Sequence, residues 1–228
     1  MGAEESVVEE GQMKPSVDPN GVVFRDYKNP GVVWRNGVPD YSKVDKTYIE
    51  HRENILVADS LEHIVTKVVK NWEIEEHHVP DINQWITMDT KNLELYTNEL
   101  KNPVDAAGLA KVGSYAFLLG KCPHFNGSKE TFESADKMFN NAFNETGFAW
   151  EVIKVYSGPP DVTFTFRHFG RHTGDYVDSD GQVFKPSGKM VVFTGTAIAN
   201  VDEKLVIKSI RLFWDRLNFI NQLTENKA

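Results

Sequence analysis

Residues 162–176, VTFTFRHFGRHTGDY, alternate in side-chain character with a period of two, and no other feature constrains the fold as tightly. The alternation belongs to a β-rich second half that begins after Gly147. FAWEVIKVYS precedes it and ends in GPP, whose prolines cannot continue a ladder. A turn-rich DSDGQVFKPSG follows, and then the apolar runs KMVVFTGTAIANV and LVIKSIRLFWDRL. Long strands joined by turns pair antiparallel.

The first half reads differently. From Asp59 the period is helical, with Leu61, Ile64, Val65, Val68 and Trp72 on one face. Asp59 and Glu62 have the spacing of a capping box, and His77 and His78 close the helix just before Pro80, where imidazoles suit the helix dipole. Residues 104–119 read as one or two short helices, with Tyr115 and Phe117 free to line a pocket. A third helix is expected over about 129–143, burying Phe132, Ala135, Phe139 and Phe143. Helices first and strands after give an α+β fold in which a curved sheet folds over helices. Residues 1–45 are set apart as an N-terminal arm, broken by Pro15, Pro19, Gly21, Pro30, Gly31, Gly37 and Pro39, and residues 46–228 as the domain. Val22, Val23, Phe24, Val32, Val33 and Trp34 require the later half of the arm to dock.

Formal net charge is −8, with no Lys/Arg run long enough for a phosphate-binding stripe, which argues against nucleic acid as a partner. No apolar run reaches the roughly 20 residues of a membrane span, and one cysteine, Cys122, excludes an intrachain disulfide or a thiolate cluster. The N-terminus lacks the pattern of a secretory signal, so a cytoplasmic location is expected. Gly2 and Ser6 fit the loose myristoylation pattern, although nearby glutamates oppose an anionic membrane.

His168 and His172 sit four apart. On a strand that separation spans about 13 Å, too far for one tetrahedral zinc. Aligning Gly181 with the sixth position of a calcium loop puts Tyr176 and Ser187 where carboxylates are needed. No metal and no cofactor are therefore expected. Strand parity puts Phe164, Phe166, His168, Gly170 and His172 on one face, and an aromatic face with a few polar groups suits either a ligand cavity or a core with satisfied histidines.

The long string FESADKMFNNAFNETGFAWEVIKVYSGPPDVTFTFRHFG, with NWEIE at 71–75 and GSYAFLL at 113–119, resembles the plant pathogen-related proteins. GRHTGDY, PSGKMVVFTGTAI and IRLFWDRLNFINQL are in turn similar to the SnoaL-like polyketide cyclases of the nuclear-transport-factor-two-like superfamily. The resemblance implies a cone-shaped α+β barrel, a strongly curved antiparallel sheet wrapping helices around a deep apolar pocket. It gives Asp215 and His172 as the catalytic pair. His168, Phe164, Phe166, Tyr115, Trp150, Trp72 and Trp214 would bind the substrate. The plant proteins keep the histidine at 168 and lack the one at 172; this chain has both.

The implied activity is that of a cofactor-independent cyclase, isomerase or lyase, such as a dehydratase, of secondary metabolism, acting on a carbonyl compound by acid–base chemistry. The alternative is a noncatalytic stress or defence protein that binds an apolar small molecule. A homodimer through the exposed sheet is the assembly the superfamily suggests.

Overall fold

The computed structural model describes residues 11–98 and 101–226. In chain order they form the ribbon β1 (Ser16–Val17) and β2 (Val23–Arg25), helices α1 (Ser42–His51) and α2 (Leu61–His78), and strand β3 (Glu94–Thr97). Helix α3 (Ala106–Leu119), the hairpin β4 (Lys121–Cys122) and β5 (Phe125–Asn126), and helix α4 (Phe132–Ala142) complete the first half. The second half holds β6 (Ala149–Ser157), β7 (Asp161–Arg171), the small ribbon β8 (Tyr176–Val177) and β9 (Val183–Phe184), then β10 (Met190–Val201), β11 (Ile207–Trp214) and α5 (Arg216–Thr224).

Four long strands form the main sheet as expected, and the short β3 adds a fifth, in the order β3-β11-β10-β7-β6. Two details differ from the expectation. Strand β3, whose short run carries no clear alternation, joins β11 in parallel, so the sheet is mixed. It is also open, with β3 and β6 as its edges, and does not close into a barrel.

The helices begin where local chemistry satisfies their first amides. Helix α2 is capped one residue later than Asp59: Ser60 Oγ accepts from His63 N at 3.1 Å. Asp59 takes a positive φ and donates its own N–H to His63 Nδ1 at 3.0 Å. His63 Nε2 is thereby the protonated nitrogen, and it donates to Val23 O at 2.7 Å, which ties β2 to α2. Helix α4 starts at Thr131 with a capping box closed by Ser134. Helix α3 kinks at Gly113, whose φ of 77° a side chain would resist. A β-carbon there would also lie 2.8 Å from the Phe132 ring.

The core lies between the sheet and helices α2, α3, α4 and α5. A second cluster sits beyond it, where Val22, Phe24, Tyr48 and Leu56 cover Ala149 and Phe169. The side chains of Phe24 and Tyr27 are buried, and Trp34 Nε1 donates to Gly11 O at 2.7 Å. Helix α5 was not visible in the sequence, where its residues continue an apolar strand-like run. Its Gln222 side chain donates to Val192 O and accepts from Val192 N, each at 2.9 Å, on the stretch of β10 beyond the end of β11.

Candidate active site

A cavity of about 60 Å³ lies between α2, α3 and the inner face of the sheet. Helix α2 supplies Val69, Trp72, Glu73 and Glu76, spaced three, four and seven residues apart, so one helical face points into it. Ser114, Phe117 and Leu118 come from α3 just after the Gly113 kink. Strand β7 contributes Phe164, Phe166 and His168 at alternate positions, and Trp150, Phe193, Leu212 and Trp214 complete the wall. Gly195 lets β10 pass close to this wall, because a β-carbon there would run into the Phe166 ring.

Three polar atoms on this largely apolar wall lack partners. Trp72 Nε1, Ser114 Oγ and His168 Nδ1 are all buried and make no hydrogen bond. Leaving such an atom unsatisfied costs about 1–3 kcal/mol, so three at one cavity are a substantial cost without a counterpart in the fold. Trp72 Nε1 is a donor only, so it calls for an acceptor.

Glu76 is 7% exposed. Burial raises its carboxyl, against the pull of His77 and of the nearby Ser114 hydroxyl, whose geometry falls short of a hydrogen bond, leaving a pKa of about 7. His77 lies 3.6 Å from Glu76 Oε1 on one side and 3.7 Å from Asp136 on the other. Burial draws the His77 imidazole down, but Asp136 and Glu76 outweigh it and hold its pKa above the ordinary value. His168 is the opposite case. Burial first, then Lys70, pushes its pKa down to about 3, so the ring is neutral at physiological pH. It stacks on Phe148 with centroids 4.1 Å apart.

Six of the nine sequence-predicted site residues therefore line one cavity: Phe164, Phe166, His168, Trp72, Trp150 and Trp214. Tyr115, His172 and Asp215 do not. Tyr115 is on the neighbouring face of α3, stacked on Phe139 at 4.2 Å. Strand β7 ends at Arg171, so His172 leaves the alternation; it is fully buried, its Nδ1 facing Ser187 N at 3.4 Å. Asp215 follows the last residue of β11 and becomes the N-cap of α5. Its exposed carboxylate accepts from Asn218 N at 2.9 Å instead of reaching the cavity. The polar lining residues the sequence reading missed are Glu73, Glu76 and Ser114. For Glu76 a signal was present: it lies four residues beyond Trp72, on the apolar face of the same helix.

Among the described residues, no group of three or more His, Cys, Asp or Glu side chains is arranged to hold a metal ion. No helix there is long and apolar enough to cross a membrane.

The fold, helices packed on an open mixed sheet, is similar to that of solved SnoaL-like structures. One from Acidithiobacillus ferrooxidans, described as a polyketide cyclase, is 14% identical and covers 75% of this chain and 99% of its own, with a TM-score of 0.43. Another, IdmH from Streptomyces antibioticus, also described as a polyketide cyclase, is 11% identical over 68% of this chain and 95% of its own, at 0.39. A SnoaL-like protein from Jannaschia sp. CCS1 is 15% identical over 60% and 74%, at 0.36. No family model matches the sequence. The pathogen-related protein of Hordeum vulgare is 34% identical over 196 residues, 82% of this chain and 80% of its own length. The chain belongs to the pathogen-related protein family.

Proposed function

We propose that the protein is a cofactor-independent acid–base enzyme, a cyclase or isomerase, that enolises a carbonyl-containing small molecule, with Glu76 as the base. The observation that carries this is the cavity itself: a buried carboxyl faces a mostly apolar space with three polar atoms around it that make no hydrogen bond. In its ionised form Glu76 takes a proton from the carbon next to the carbonyl. The C–H electron pair moves into the new C=C bond, and the carbonyl π pair moves onto oxygen. Trp72 Nε1, and neutral His168 in the tautomer with its proton on Nδ1, supply hydrogen bonds that strengthen as that oxygen gains charge. The Glu76 carboxylic acid then returns the proton, at the same carbon or at another. A carboxyl with a pKa of about 7 suits both halves of this cycle.

Asp215 and His172 have no place in this reading. Exchange of the α-hydrogens of 2-octanone for deuterium, followed by NMR, tests it without the natural substrate. Wild-type protein should accelerate exchange, with a rate that rises with pH through about 7. Glu76→Gln should lower it at least 100-fold, whereas Asp215→Asn should leave it unchanged. Loss of exchange in Asp215→Asn alone would return the base to Asp215. Ketone binding with no exchange would favour the noncatalytic binder.

A further inference from the structure

A second cavity, of about 40 Å³, shares Val69 and Phe164 with the first. Every side chain on its wall is apolar, among them Ile64, Val65, Val68, Val162, Ala199 and Ile210. Two elements line both spaces and run in the same sense. Along α2 the wall passes from Leu61 and Ile64 through Val69 to Glu76, and along β7 from Val162 through Phe164 to His168. The lengths agree: fifteen helical steps cover about 22 Å and six strand steps about 20 Å. The two cavities are thus successive chambers along one axis, polar at the Glu76–His168 end and dry at the Val162 end. An apolar wall of this kind favours hydrocarbon over water.

We propose that the ligand is an elongated amphipathic molecule, an uncharged carbonyl head on an aliphatic or isoprenoid-like tail, with the tail passing between Val69 and Phe164 into the second chamber. This rests on the reading of the first chamber as the site of chemistry. The head must accept a hydrogen bond, because Trp72 Nε1 can only donate. It must not be an anion, because Glu73 and Glu76 both face it. The tail must be apolar along its length, because nothing in the second chamber can solvate a polar group.

The test is binding of a methyl ketone series, 2-pentanone to 2-dodecanone, followed by quenching of tryptophan fluorescence, since Trp72, Trp150 and Trp214 line the head chamber. Affinity should rise about fourfold per added methylene until the second chamber is full, and then level off. Val68→Phe, on a half-buried helix position, should flatten that slope, and Ala199→Leu should do the same from the sheet side. Ile64→Ala should move the plateau to longer chains. Melting temperature and circular dichroism identify any variant that fails to fold, and the wild-type series alone decides the case if all do. Decanoate should bind more weakly than 2-undecanone. Equal affinity for all chain lengths would overturn the tail chamber while leaving the head site standing. Failure of every ketone to bind would overturn both readings. Decanoate binding as tightly as the ketone would overturn the uncharged head.

Discussion

Helix α2 carries buried charge on two faces, and the faces treat it differently. On the side towards the arm, Lys70 is fully buried, but its ammonium donates to Trp150 O at 3.0 Å and stands over the Tyr48 ring at 4.3 Å. Its neighbour Arg25, also fully buried, donates to Lys70 O, pairs with Asp45 at 3.4 Å and lies over Tyr41 at 3.6 Å. Glu75 accepts from the amides of Ile86 and Thr87. Nearby, Glu151 accepts from the amides of Glu53 and Asn54 and pairs with Arg167 at 2.9 Å. On the cavity side, Glu76 and Trp72 are also buried, each 7% exposed; His77 lies 3.6 Å from Glu76, but Trp72 Nε1, Ser114 Oγ and His168 Nδ1 make no hydrogen bond. Burial alone does not separate a structural charge from a functional one; the two faces differ in what surrounds the charge, ion pairs and backbone amides on one and a cavity on the other.

Breaking the partnered face should have the largest effect. Arg25→Ala leaves Asp45 and Glu73 without their cation and should cost about 3–5 kcal/mol in urea unfolding. A cost below 1 kcal/mol would mean that the two faces are energetically alike.

The cavity face should respond with the opposite sign. Glu76 has a folded pKa of about 7 against an ordinary 4.5, so the folded protein keeps a proton that the unfolded chain releases. Stability therefore falls as pH rises through that window, and the penalty is complete above pH 7. Glu76→Gln should stabilise the protein at pH 8 by on the order of 2–3 kcal/mol. The gain should vanish below pH 4.5. Denaturation midpoints at pH 4 and pH 8 suffice to check it, and a variant less stable than wild type at pH 8 would break the comparison.

Two smaller effects sharpen it. Asp215→Ala should cost about 1 kcal/mol through loss of the α5 cap, and Asp215→Asn, an equally good cap, under 0.5 kcal/mol. In an NMR titration the His168 ring should remain neutral from pH 8 down to about 4, while His77 should gain its proton above its ordinary pKa. Titration of His168 near pH 6.5 would show that its surroundings are wetter than the geometry requires.

The sequence disclosed the sheet because alternation over β7 and β10 is a local property, and it disclosed the wall of α2 because the helical period is local too. Strand β3 and helix α5 were hidden for a common reason: each is short and depends on distant partners, β11 for one and β10 for the other. Aromatic cavity residues were legible through parity on one strand. Asp215 was misplaced because β11 stops at Trp214, before the end of the strand-like run, which turns a strand residue into a helix cap. Glu76 was overlooked because a glutamate beside Glu75 and His77 reads as part of a polar helix end, and only packing shows which neighbour faces inward.

The amide of Gln222 has a consequence for solubility. Where β11 ends, β10 would present an unpaired backbone N–H and C=O at Val192, an invitation for another chain to add a strand. Gln222 fills both valences with one side chain, donor to the carbonyl and acceptor to the N–H. A single planar amide thus imitates the strand that is missing and closes this edge to intermolecular sheet growth.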